Sequence, residues 1–243
     1  MKALLSFFTA LPLRGAPLEE VAREVSLLPL VGLVTGLPGA AVLLAVPLVP
    51  PGVAATVALG AVLLAAGLHH ADGVLDVGDA LMAHGSPERR REALRDARVG
   101  IGGLGALFLV YGPTLGALVA LCATSPGGAA LALFAGEVSA RSAMLLTLAF
   151  GEPADTRSSS VPFVRMLLGP RRTGGIVLAL LGPLPFLLAT SALAPLATLA
   201  APLVALGALR ISARKFGGIG GDVVGAAGEA SRAVLLVLLS ATM

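Results

Sequence analysis

The chain has no tryptophan, one tyrosine, one cysteine and very little charge, with only 13% of its 243 residues being Asp, Glu, Lys or Arg. Each scarcity excludes something. Soluble domains carry about a quarter charged residues, so a chain that is 56% hydrophobic with a mean hydropathy of +0.94 belongs in a lipid bilayer. A transmembrane barrel needs aromatic girdles and alternating strands. Here Leu, Ala and Val dominate alongside 31 glycines, a composition that suits helices packed closely through small residues. The lone Cys122 has no partner for an internal disulfide. Composition therefore predicts an all-α, polytopic integral membrane helix bundle.

Charge is also absent over long stretches. Between Glu24 and Asp72 there is no Asp, Glu, Lys or Arg, and the gap is more than twice the ~20 residues one crossing needs. It reads as two helices, broken at "PLVPPGVAA" (Pro47 to Ala55), where consecutive prolines stop a helix. The run from Val99 to Gly136 gives a span to about Ala120, a turn at "ATSPGG" and the start of a helix over about Ala129 to Phe150 that carries Glu137 and Arg141. Thr173 to Leu209 gives two more spans, broken at "TSALAP", and a last helix runs from about Val223 to the C-terminus with Glu229 and Arg232. The total is about seven spans. The N-terminal "MKALLSFFTALPLRGAP" lacks a clear small-residue cleavage site and reads as an interfacial helix. No internal repeat or long linker divides the chain, which predicts a single domain over 1–243.

The turns alternate in kind. Three are uncharged, while Lys2 to Glu24, Asp72 to Arg98, Glu152 to Arg172 and Arg210 to Asp222 hold nearly every charge. Helices crossing in order would put all of these segments on one face. The positive-inside rule makes that face cytoplasmic, so the net charge of +3 records orientation in the inner cell membrane and does not point to a nucleic-acid partner. Orientation alone does not require the acids to gather there too. Chemistry on cytoplasmic substrates accounts for both.

Asp72, Asp76 and Asp79 are spaced i, i+4, i+7 and fall within one arc of a helix, with His69 at its edge. Carboxylates so close repel one another, and Mg²⁺, which prefers carboxylate oxygens together with substrate phosphate, relieves them. The competing reading is a solvated helix end with acids in its first turn. Next comes "SPERRREALRDARVG", where Ser86 caps a short helix with Pro87 at its first position. Arg89, Arg90 and Arg91 read as a headgroup anchor; Arg95, Asp96 and Arg98 lie nearer the next span, where an arginine fork is suited to a phosphate.

In "KFGGIGGDVVGAAGE", Gly218, Asp222, Gly225 and Glu229 recur at helical spacing, and Gly217, Gly221 and Gly225 form small-xxx-small steps. These glycines permit helices to touch, within the chain or in a homo-oligomer, and would bring Asp222 and Glu229 against a neighbour. There is no Walker lysine-serine pattern. Glu137 and Arg141 are i, i+4 and can pair, with Arg141 also a candidate to face a substrate cavity. "DTRSSSVPF" reads as a loop or lid, since no His and Asp partners are placed to make a serine nucleophile.

Taken together, "HHADGVLDVGDAL", "RDARVGIGG" and "GGIGGDVVGAAGE", with "LSFFTALPL" and "REVSLLPLVGLVTG" near the start, resemble the adenosylcobinamide-GDP ribazoletransferases, or cobalamin synthases, over nearly the whole chain. The sequence departs from that pattern by one extra residue after the histidines and by Ala97 where serine is frequent. The resemblance implies a membrane-embedded, Mg²⁺-dependent transfer. In it, the ribose hydroxyl of α-ribazole or its 5′-phosphate attacks the corrinoid-linked phosphorus of adenosylcobinamide-GDP, and GMP leaves. Carried onto these positions, Asp72, Asp76 and Asp79 hold the metal and Asp222 is a further ligand or the base. Arg98 takes the leaving GMP, and Arg95, Arg141, Gly218, Gly221 and Glu229 contact substrate. Two rivals differ. CDP-alcohol phosphotransferases need an Ala-Arg pair and a different aspartate spacing from Asp72-Gly73-Val74-Leu75-Asp76, and a transporter would place its charges at mid-span as a relay.

Overall fold

A computed structural model describes residues 1–45 and 49–242. Two short helices, α1 (Lys2–Phe8) and α2 (Leu18–Arg23), precede a 3₁₀ turn that runs into α3 (Leu28–Leu44). After α4 (Pro51–Ala65) come α5 (His69–Met82), the short α6 (Pro87–Ala93), α7 (Ile101–Thr124) and α8 (Pro126–Phe150). The remainder comprises α9 (Val161–Met166), α10 (Gly169–Leu181), α11 (Leu184–Leu188), a 3₁₀ segment at Ala194–Leu199, α12 (Ala200–Phe216) and α13 (Gly221–Ser240). Local chemistry sets many of these ends. Ser86 and Ser125 each accept a backbone N–H three residues on, with proline following at the first helical position. Gly217, at φ 74°, ends α12 in the left-handed region.

Six segments are long and apolar enough to cross a membrane, namely Val25–Leu44, α7, α8, Gly169–Leu188, Ala194–Phe216 and α13. The α4–α5 pair, bent by 94°, supplies at most a seventh. The sequence reading ran a straight span up to the aspartates, and the chain departs from it: α4 has only 15 residues, and Gly67 (φ 76°) and Leu68 (φ 62°) both adopt left-handed backbone, which turns α5 away. The predicted break at Pro47 to Ala55 lies partly outside the described residues; in its described part, Pro51 opens α4. Gly217 and Gly218 are not on the glycine stripe of the last helix. They form the turn before it, where Gly218 (φ 151°) precedes an Ile219 that bridges to Pro153.

The centre of the bundle is α8, which is almost wholly buried, whereas Gly169–Leu188 lies largely exposed at its outside. Helix α3 reaches it through Gly32, where a Cβ would stand 2.6 Å from the backbone of Glu137. On its other flank, a Cβ on Gly228 of α13 would come 2.9 Å from Met144. Small residues thus let three helices approach closely where hydrocarbon offers no hydrophobic drive.

A fully buried polar cluster sits in this contact. Glu137 Oε1 accepts from Arg232 Nη1 at 2.8 Å, and Glu137 Oε2 accepts from Thr35 at 2.5 Å and pairs with Arg141 at 3.5 Å. Arg232 also pairs with Glu229, whose Oε2 accepts from Tyr111 at 2.9 Å. Ser139 and Ser231 bond across α8 and α13 at 2.8 Å. Two acids and two arginines balance, joining α3, α7, α8 and α13 with no net charge. The i, i+4 pairing of Glu137 with Arg141 follows the sequence expectation; the bridge from Glu137 to Arg232 has no local signature.

The four charged segments meet at one end of the bundle. Arg91 Nη1 donates to the Phe216 carbonyl at 2.8 Å, Arg95 pairs with Asp155 at 2.7 Å, and Ala154 N donates to the Ile219 carbonyl at 3.0 Å. Phe7 of the first segment packs on Phe163 of the third, with ring centroids 5.9 Å apart.

Removing one partner from the buried cluster leaves an uncompensated charge, at a cost of about 3–5 kcal/mol. Arg232→Leu is expected to lose that much stability in detergent unfolding, while Ser231→Ala loses about 1 kcal/mol. Equal stability of the two variants would mean that the cluster does not hold the bundle.

Candidate active site

The acidic helix is held in place by glycines and by caps. On α5, a Cβ on Gly73 would stand 2.7 Å from the Asp222 carbonyl, and one on Gly78 would stand 2.5 Å from the Ala106 Cβ. On α13, a Cβ on Gly225 would stand 3.2 Å from the His70 Cα. The backbones of α5, α7 and α13 therefore nearly touch, and Asp222 arrives beside Asp72 and Asp76. Asp76 lies in the field of Asp72, Asp222 and Asp79 together, and Asp222 in that of Asp72. Among the described residues, none of these four carboxylates has an ion-pair partner.

The third aspartate of the run does something the sequence did not reveal. Asp79 accepts from Gly100 N at 2.7 Å and Gly103 N at 2.8 Å, so its carboxylate caps the start of α7. A Cβ on Gly100 or Gly103 would collide with that carboxylate, at 2.5 and 2.7 Å. This explains the glycines of "RDARVGIGG": they let a helix end, with its unsatisfied N–H groups, close onto an acid from another helix. Asp79 stays part of the acidic wall, with both oxygens already engaged.

The arginines divide in the same way. Arg90 donates to the carbonyls of Ala80 and Leu81 at 3.0 and 2.8 Å, capping the end of α5, and Arg91 caps α12 through Phe216. Arg98 is exposed and closes a two-point ion pair with Asp96, at 3.0 and 2.7 Å, which holds that carboxyl down at about 2. Arg95 reaches across to Asp155, which the backbone N–H of Arg157 and then the Arg95 guanidinium keep below the usual carboxylate range. Arg141 and Glu229 are fully buried in the central cluster and line none of the cavities at this end.

Two cavities flank Asp222. One, of about 490 Å³, is walled by Phe7, Phe8 and Phe163 with His69, His70 and Met144. The other, of about 160 Å³, is lined by Arg91, Arg95, Arg157 and Ser158 with Gly218 and Gly220. Ser159, Gly221 and Asp222 line both. The serine loop closes over the junction, since Ser158 and Ser160 donate to the Ile219 carbonyl at 3.2 Å and Ser159 lies against Gly221, 2.7 Å from where a Cβ would be. Of the sequence-predicted residues, this end gathers Asp72, Asp76, Asp79, Asp222, Arg95, Gly218 and Gly221. Sequence reasoning missed Arg91, Arg157 and the phenylalanines as cavity walls. "SFF" and "SSSVPF" were visible, but their meeting across the chain was not.

The wall also fits a hard cation in its chemistry. It offers carboxylate oxygens that repel one another and have no ion-pair partner, which are the ligands Mg²⁺ takes. Among the described residues, no three His, Cys, Asp or Glu side chains converge on one point as they stand, so the fit lies in the donor set.

Comparison with known proteins covers this end together with the rest of the chain. A family model described as cobalamin-5-phosphate synthase matches residues 1–240. A protein named adenosylcobinamide-GDP ribazoletransferase from Methanocella arvoryzae is 34% identical, with 100% of this chain and 96% of the relative covered. One of the same name from Methanosarcina barkeri is 31% identical over 92% of this chain and 84% of the relative. A third, from Saccharolobus islandicus, reaches 45% identity over 45% of this chain and 44% of its own. No solved structure matches. With its whole length matched and its marked segments meeting at one acidic, two-cavity end, the chain belongs to the cobalamin-5-phosphate synthase family.

Proposed function

We propose that the protein is an adenosylcobinamide-GDP ribazoletransferase, carrying out the nucleotide-loop assembly step of cobalamin biosynthesis. A ribose hydroxyl of α-ribazole, or of its 5′-phosphate, attacks the corrinoid-linked phosphorus of adenosylcobinamide-GDP. A new O–P bond forms, the bond from that phosphorus to the bridging oxygen breaks, and GMP leaves with the bridging oxygen. The observation that carries this reading beyond the family is the position of Asp222, on the wall shared by an arginine-lined cavity and an arginine-free one.

An anionic diphosphate repels a nucleophile, so the reaction needs positive charge around it and a proton acceptor beside the hydroxyl. In this reading Arg91, Arg95 and Arg157 face the diphosphate from the smaller cavity, and Asp222 takes the hydroxyl proton. The glycines at Gly218 and Gly221 let the segment from Glu152 to Ser159 close against the start of α13, where helix N–H groups lack intrahelical partners and suit a phosphate. Arg98 contacts the leaving GMP once it exchanges Asp96 for phosphate. Arg141 and Glu229 contribute by fixing α8 and α13 from below. Asp72, Asp76 and Asp79 would hold Mg²⁺, which when bound neutralises charge building on the phosphate oxygens.

Asp76→Ala and Asp222→Asn are each expected to lower GMP release at least ~100-fold, the scale of a lost acid-base or charge-stabilising group, while the protein still inserts and elutes as a single species. Full activity in Asp76→Ala would remove the acid wall from the chemistry. Chelation with EDTA should abolish product and added Mg²⁺ restore it; turnover that survives chelation would count against the metal.

The reading also sets an orientation. The charged end faces the cytoplasm of a cell whose inner membrane the helices span, as the arginines at that end favour. In a Cys122→Ala background, single cysteines at Ser86 or Ser158 should react with an impermeant thiol reagent only once the cytoplasmic side is opened, and one at Ser125 should react from outside. The opposite labelling would invert the topology.

A further inference from the structure

The larger cavity has features that phosphate chemistry leaves unused. Three of the chain's eight phenylalanines meet on its wall, with centroids 4.9 Å apart for Phe7 and Phe8, 5.9 Å for Phe7 and Phe163, and 6.1 Å for Phe8 and Phe163. His70 stacks beyond Phe8 at 6.1 Å and 27°. It is only 8% exposed, and its Nδ1 is buried without a hydrogen-bond partner. Buried polar atoms are nearly always paired, so an unpaired nitrogen on a residue that lines a cavity points to a ligand that meets it once the ring turns toward that space.

Resting on the transferase reading, we infer that this cavity is the subsite for the planar heteroaromatic base of the acceptor nucleoside. The ring packs against Phe7, Phe8 and Phe163, and His70 Nδ1 donates to the ring nitrogen that does not carry ribose.

Four observations support this. First, aromatic faces hold bases by stacking whatever their substituents. Second, no arginine or lysine lines this cavity whereas three arginines line its neighbour, so an uncharged ring belongs in the first and a diphosphate in the second. Third, the volume of about 490 Å³ suits a small molecule and is far too small for a corrinoid macrocycle with its side chains. Fourth, Asp222 and Gly221 form the common wall, so a base at the aromatic end directs its ribose toward the carboxylate and the diphosphate beyond.

The placement of His70 is built into the fold. The left-handed pair Gly67 and Leu68 starts α5 at the cavity, and the contact with Gly225 fixes the His70 backbone against α13. His70→Phe keeps the ring and its bulk but removes the donor, which makes it the informative replacement.

The test is two-substrate kinetics on the detergent-purified full chain, with free benzimidazole as a probe. In the wild type, benzimidazole should compete with α-ribazole and not with adenosylcobinamide-GDP. Phe163→Ala and His70→Phe should each raise the KM for α-ribazole about tenfold, the scale of one lost stacking or hydrogen-bonding contact, while the KM for adenosylcobinamide-GDP stays within about twofold. Competition against adenosylcobinamide-GDP, or equal rises in both KM values, overturns the subsite and leaves the transferase standing. Wild-type protein that forms no product overturns the transferase reading instead. Equilibrium dialysis of α-ribazole then decides the subsite alone: weaker binding by Phe163→Ala supports it, and binding equal to wild type overturns it.

Discussion

Arg232 is the pivot of the bundle. Its guanidinium holds Glu137 on α8 and Glu229 on its own helix in a region with no solvent, where an unpaired charge is far more costly than at a surface. This fixes α13 against α8 in both register and rotation. Glu229 lies seven residues beyond Asp222, which at 1.5 Å per residue sets the cluster about 10 Å deeper than the acidic wall. The position of Asp222 is thus determined from inside the bundle, and the outer end is free to be lined with groups chosen for chemistry.

What the sequence disclosed and what it withheld follow from the range of the interactions. Span lengths, the proline and glycine breaks, the Ser86 cap and the Glu137–Arg141 pair are local, and each could be read from a few neighbouring residues. The Glu137–Arg232 bridge joins residues 95 apart and leaves no periodic trace. The 94° bend depends on Leu68 taking a left-handed conformation that its side chain disfavours, so the local sequence did not announce it. Asp79 looked like its neighbours because nothing local marks an acid of the wall that also caps a distant helix. The family resemblance placed the acidic wall at the centre of the chemistry, but the division between aromatic and basic cavities appears only once α1, α9 and α13 are brought together.

That division is maintained by contact distances more than by charge. Where an acid-bearing helix meets its neighbour, one backbone is bare: Gly73 under Asp222, Gly100 and Gly103 around Asp79. A methyl group at Gly73 would push Asp222 away from the acids of α5, and one at Gly100 or Gly103 would push Asp79 off the start of α7. The glycines therefore set the electrostatic field of the site without carrying charge, by deciding how close the charged groups come.

The site is also distributed along the chain in an order that matters when the protein is made. Phe7 and Phe8 leave the ribosome early, His70 and the first aspartates next and the serine loop later; Asp222 comes only with the final helix. A nascent chain halted before α13 holds three of the four acids of the wall, two cavities without the flank that Gly221 and Asp222 supply, and a Glu137 with its main cation missing. The acidic wall is therefore completed, and the buried charge of Glu137 balanced, by one and the same event, the seating of α13 against α8.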